Sequence, residues 1–178
     1  MDNQKEEILQ KIEEAEYVLV GLGQEFDMEF FLQSREDYRR IREQLQQQNV
    51  LWLLPYVEAQ FRKQYLPEME AEIEKGLQKL AKVLEKKSYF VVSSSLNHKL
   101  AEVPWKKMLL KKERFVAPCG DWTKKQCPDG CEEGIQTVTE ADEEQLQESF
   151  KKLQTNGFSV PDLGKCPKCG KKLVLNNV

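Results

Sequence analysis

At 178 residues the chain is long enough to bury a sizeable core, and with 27 Lys and Arg against 30 Asp and Glu its formal net charge is −3, so no basic field marks it as a nucleic-acid binder. Hydrophobic residues at 40% and charged residues at 32% describe a globular chain with a well-solvated surface and exclude a disordered one. No apolar run reaches the length of a bilayer span, and the N-terminus lacks the basic start and apolar stretch of a secretion signal, so the expected location is the cytoplasm, away from membranes.

The opening "MDNQKEEILQKIEEAEY" sets Ile8, Leu9, Ile12 and Ala15 among charges, which predicts an amphipathic helix. "YVLVGLG" is a short branched run ended by Gly21 and Gly23, the pattern of a parallel strand buried on both faces. In "QEFDMEFFLQSREDYRRIREQLQQQ" the residues Phe30, Phe31, Tyr38, Ile41 and Leu45 recur at helical spacing, with Ser34 as a candidate cap three residues before Asp37. "VLWLLPYVEAQFRKQY" carries Pro55 at a helix break or start, and "LPEMEAEIEKGLQKLAKVLEKK" is a helix opening at Pro67. Trp52 and Phe61 in this span suit either core packing or the wall of a substrate cleft.

"SYFVVSSSL" repeats the strand pattern over 89–92 and ends in Ser93, Ser94 and Ser95. Strand, helical crossover and strand predict an α/β fold: an incomplete Rossmann-like parallel sheet with a helical insertion, spanning residues 1–114. Ligands of such sheets bind beyond the C-terminal strand ends, here 21–23 and 93–97. The run "KKMLLKKER" at 106–114 reads as a solvated face, offset by the acidic "TEADEEQLQE".

Residues 115–178 have a different texture: short strands and turns, a capped helix ending at Gly157, and a final strand after a knuckle. "QCPDGC" and "KCPKCG" supply two cysteine hooks. Thiolates two to four residues apart reach adjacent corners of one tetrahedron from a single turn, so Cys127, Cys131, Cys166 and Cys169 predict a structural Zn²⁺ site with no position left for substrate. Buried free thiols or a disulfide are the alternatives. The prolines, glycines and lysines beside the hooks argue against burial, and a reducing compartment argues against a disulfide. The 34 residues between the hooks exceed the usual interval and require the intervening helix to be an insertion beside the metal.

The order of these parts, from a Gly-x-Gly turn through "YFVVSSSLNHKL" and "APCGDWTKKQC" to "CPKCG", resembles that of sirtuins, the NAD-dependent protein deacylases and ADP-ribosyltransferases. The resemblance implies an NAD-binding turn at Gly21 and Gly23, ribose-positioning groups at Ser95 and Asn97, and a catalytic base at Cys119. It also departs from the family at each place. Gln24, Glu25 and Phe26 replace small residues near the phosphates, Ser95 and Asn97 replace Asn and Asp, and Cys119 replaces the base histidine. A thiol with an ordinary pKa near 8.5 is a poor base at pH 7. His98, the one histidine, is a candidate replacement base or a polar residue at a strand-to-helix junction.

Sirtuin chains continue past the zinc module into the adenosine-binding half, so this sequence is expected to be a fragment or to work without full NAD binding. Two functions follow: a sirtuin-like zinc protein with lost or impaired catalysis on acylated protein, or a non-enzymatic zinc-stabilised module that holds a protein partner. An uncovered sheet edge would also invite self-association.

Overall fold

The computed structural model describes residues 2–27, 29–96, 114–155 and 157–177. Helix α1 (Asp2–Glu14) leads into strand β1 (Tyr17–Leu22), then a 3-10 turn (Gln24–Asp27), α2 (Glu29–Gln33), α3 (Glu36–Gln47), α4 (Leu54–Tyr65) and α5 (Pro67–Leu84). Strands β2 (Ser88–Ser93) and β3 (Phe115–Val116) complete a parallel sheet in the order β1-β2-β3, paired from Tyr17 with Ser88 to Leu22 with Ser93. Strands β4 (Gly120–Gln126), β5 (Gln136–Thr137) and β6 (Val174–Asn177) form an antiparallel sheet in the order β5-β4-β6, with α6 (Glu140–Gln154) between β5 and β6. Among the described residues no helix is long and apolar enough to cross a membrane.

Local chemistry explains most helix starts. Pro67 opens α5 and Pro55 stands in the first turn of α4, positions where a missing N–H leaves no hydrogen bond unmade. Helix α6 begins with a capping box in which Thr139 Oγ1 accepts from the Asp142 N–H and the Asp142 carboxylate accepts from the Thr139 N–H. Helix α3 departs from expectation. Ser34 turns back to donate to the Phe31 carbonyl at 2.8 Å, and the cap position falls to Arg35, which makes no side-chain cap bond. Arg35 instead grips Asp37 through two bonds of 2.9 and 3.1 Å and lies over the Tyr65 ring.

The interior falls into two clusters. In the smaller, the α5 residues Leu77, Ala81 and Leu84 cover one face of the parallel sheet at Leu22, Tyr89 and Val91. The opposite face carries Tyr17 and Leu19, 73% and 75% exposed, with Phe90 and Val116. The expectation that β1 is buried on both faces is therefore corrected: one face has a helix over it, and the other exposes Tyr17 and Leu19, with no cover among the described residues. The larger cluster joins Leu32, Tyr38, Ile41 and Phe61 of the helical insertion to Trp122, Leu146, Phe150 and Leu175 beyond residue 114. Phe61 stacks on Tyr65 and meets Tyr38 and Phe150 edge-on, so it is core, while Trp52 is half-buried against the same cluster.

Charges are buried beside this larger core. Arg62 Nε lies 3.0 Å from Glu70 Oε1, and Arg62 Nη1 donates to the Asp27 carbonyl at 2.8 Å. Tyr38 donates to Glu58 Oε1 at 2.6 Å. Burial pushes the Glu58 carboxyl up to about 7; the Tyr38 bond and the Arg62 charge work against the shift, while Glu29 and Asp27 add to it.

The folded state thus holds a proton on Glu58 that the unfolded chain releases near 4.5. Its contribution is present in full below that value and is lost as pH rises through about 7, a swing on the order of 3 kcal/mol. Glu58→Gln keeps an acceptor for Tyr38 and removes the titration. Urea unfolding at pH 5 and pH 8 is expected to show a drop in wild type that the variant lacks; equal pH dependence in both would exclude Glu58 as the source.

Candidate metal centre and sheet-edge site

The two hooks come from separate turns that the fold brings together. Each is closed by a backbone bond, Gly130 N–H to the Cys127 carbonyl at 3.0 Å and Gly170 N–H to the Cys166 carbonyl at 2.9 Å. Gly130 at φ +72° and Gly170 at φ +74° occupy the left-handed region, where a side chain would be strained. Gly134 is needed for space: a Cβ there would stand 2.5 Å from Cys127 Cβ.

The sulfur atoms of Cys127, Cys131, Cys166 and Cys169 all lie within 4.8 Å of one another, and Cys127 Sγ is 3.4 Å from Cys169 Sγ. Corners of a tetrahedron with metal–sulfur bonds near 2.3 Å stand about 3.8 Å apart, so this donor set fits one metal ion. The Asp129 N–H points at Cys127 Sγ from 3.4 Å. Burial opposes the Cys127 thiolate, but the N–H groups of Asp129 and Cys131 outweigh it and hold the thiol down to about 7. The Cys127 side chain alongside pushes Cys131 up to about 12. Cys127 and Cys166 are buried, against the sequence expectation for both hooks, because the first cysteine of each turn faces the larger core. Cys131 is half-buried and Cys169 exposed.

Four thiolates around a divalent ion leave two negative charges, and Lys165, Lys168, Lys171 and Lys172 flank the second hook. Lys171 also reaches across to the first hook, 2.6 Å from Asp129 Oδ2.

The long interval between the hooks is resolved by a contact that sequence reasoning missed. Lys125, on β4 two residues before Cys127, is buried and places Nζ 2.8 and 3.0 Å from the two oxygens of Asp142 and 2.8 Å from the Leu163 carbonyl. Asp142 belongs to the α6 capping box. Burial works against its charge, but Lys125 and Thr139 hold its carboxyl below the usual range. One ammonium therefore ties the first hook's strand, the inserted helix and the loop that leads to the second hook. The capping signature "TEAD" is visible in the sequence; the Lys125 partner, 17 residues before Asp142, carries no local signal.

The second candidate site lies at the C-terminal edge of the parallel sheet. Gly23 follows β1 and Ser95 follows β2, and the two loops are joined by the Ser94 N–H to the Leu22 carbonyl at 2.9 Å. Glu25 folds back over Gly23, so that a Cβ on this glycine would collide with its carboxylate. Ser95 is buried and donates a short bond to Asp27 Oδ1. Gly21 faces open space. Cys119 is half-buried in the turn beyond β3, at this same edge, and stands apart from the four-sulfur cluster. Asn97 and His98 lie outside the described residues, as does 106–113. Asp27 was not singled out from the sequence, since nothing local ties it to Ser95. No family model and no curated protein matches the chain.

Serine substitution of Cys127, Cys131, Cys166 or Cys169 is expected to abolish bound metal, and Cys119→Ser to leave it at one equivalent, by elemental analysis of the purified chain. Lys125→Met leaves Asp142 buried beside apolar core and is expected to lower stability in urea by about 3 kcal/mol. Metal retained at full content in Cys127→Ser or Cys169→Ser would remove the site.

Proposed function

We propose that this chain is a sirtuin-like protein whose four-cysteine centre holds a structural zinc ion and whose sheet-edge site no longer performs NAD chemistry. The Rossmann-like reading of the parallel sheet belongs to the same proposal. One observation carries it: the mouth between β1 and β2, where the family resemblance implies NAD phosphates and ribose, is occupied by the chain's own Glu25 and Asp27. Asp27 is further held from behind by Arg62. Two carboxylates would face an incoming pyrophosphate, and like charges about 4 Å apart repel by roughly 4 kcal/mol near a protein surface. The chemistry of the resemblance, attack on a ribose after nicotinamide departs, also needs a base, and Cys119 stands in that place.

The zinc reading rests on an all-thiolate donor set of four sulfurs within 4.8 Å of one another, which suits Zn²⁺ and leaves no open coordination position. Its binding would supply folding free energy on the order of 10 kcal/mol to the module.

A non-enzymatic role in holding a protein partner is favoured by the bare sheet face of Tyr17, Leu19, Phe90 and Val116. Parallel sheets are ordinarily covered on both sides.

Calorimetric titration with NAD and assay of nicotinamide release, with acylated peptide and with a protein acceptor, test the main reading. No measurable binding and no turnover are expected, because loss of a general base alone removes about 10²- to 10⁴-fold in rate. Turnover that vanishes in Cys119→Ala would overturn it.

A further inference from the structure

Two apolar surfaces of this chain have no cover among its described residues. The first is the sheet face opposite α5, with Tyr17 73%, Leu19 75%, Val116 41% and Phe90 37% exposed. The second is the apolar stripe of α1, where Ile8 is 59% and Leu9 42% exposed and Ile12 is half-buried. Helix α1 does not lie on its own sheet face. Lys87, just before β2, binds the carbonyls of Glu13 and Ala15, tethering the helix C-terminus at the starting end of the strands.

The two surfaces match in kind and size. A parallel sheet is covered by helices, and α1 is an amphipathic helix lacking a partner for its stripe. Its 13 residues rise about 20 Å, the span of about 20 Å that six-residue strands β1 and β2 present. Charge agrees as well: α1 carries five carboxylates against two lysines, and Arg114 lines a cleft of about 350 Å³ on the sheet with Tyr17, Leu19 and Phe90.

We propose that two copies of the chain associate reciprocally, each laying α1 across the bare sheet face of the other. A two-fold arrangement satisfies both surfaces in both copies, whereas sheet-on-sheet packing would leave the α1 stripes in water. The contact names a partner for the interaction reading above, and its failure would leave the NAD titration and the nicotinamide assay unaffected.

Sedimentation equilibrium of the metal-loaded full chain at concentrations up to about 100 μM is expected to show a concentration-dependent dimer, since two small contacts make a modest interface. Ile8→Glu and Leu19→Arg each alter an exposed position and are expected to keep metal content and circular dichroism while weakening association at least tenfold. An equimolar mixture of the two variants is expected to recover it. The mixed dimer has one native helix-on-sheet contact, and its other contact sets a carboxylate against a guanidinium. A wild-type monomer throughout the range, a dimer that survives either substitution, or two variants that fail to rescue each other would each overturn the proposal. Survival would point to pairing through the β1 edge, and failed rescue to helix-on-helix or sheet-on-sheet contact.

Discussion

The Lys125–Asp142 pair holds the second half of the molecule together. Its ammonium is buried, satisfied by the two carboxylate oxygens of Asp142 on α6 and by the Leu163 carbonyl, so that β4, α6 and the loop before the second hook meet at one charge. A buried charge left unpaired is severely penalised, so these three stretches cannot separate without exposing or stranding it. The geometry of the hooks inherits that constraint: Cys127 follows Lys125 on the same strand, and Cys166 follows the loop whose Leu163 carbonyl the ammonium holds. An insertion that would otherwise set the two hooks adrift is thereby fixed beside the four sulfurs.

A similar economy of contacts operates at the sheet edge, with a different consequence. Arg62 is held between Glu70 and the Asp27 carbonyl, and Asp27 in turn accepts from Ser95. The loops after β1 and β2 are therefore tied to each other and to the helical insertion. Where an anion-binding turn would present free N–H groups and small residues, this edge presents Glu25 folded back over Gly23 and Asp27 bonded to Ser95. The same bonds that stabilise the edge fill it.

The two faces of the parallel sheet make the third point. Helix α5 packs on Leu22, Tyr89 and Val91, with Val18 and Val20 partly buried against the same cluster, while Tyr17 and Leu19, each one residue away from these valines along β1, stand in solvent. Strand periodicity makes such a split possible, because successive side chains point to opposite faces. An apolar face left open on one copy is a surface that association can cover.

The sequence by itself determined the features whose causes are local. Hydrophobic periodicity marked α5 and β2, Pro55 and Pro67 marked helix starts, "TEAD" marked the start of α6, and the spacing of "QCPDGC" and "KCPKCG" marked the four sulfurs, since each of these is decided within a few residues. Only the tertiary structure decided that Ser34 does not cap α3, that Cys127 and Cys166 are buried, that β1 is covered on one face, and that Asp27 takes the Ser95 hydroxyl. Lys125 and Asp142, Arg62 and Glu70, and Ser95 and Asp27 are separated by 17, 8 and 68 residues. Their meeting depends on how whole elements pack, and a charged side chain looks the same in a sequence whether it ends in water or in a buried pair.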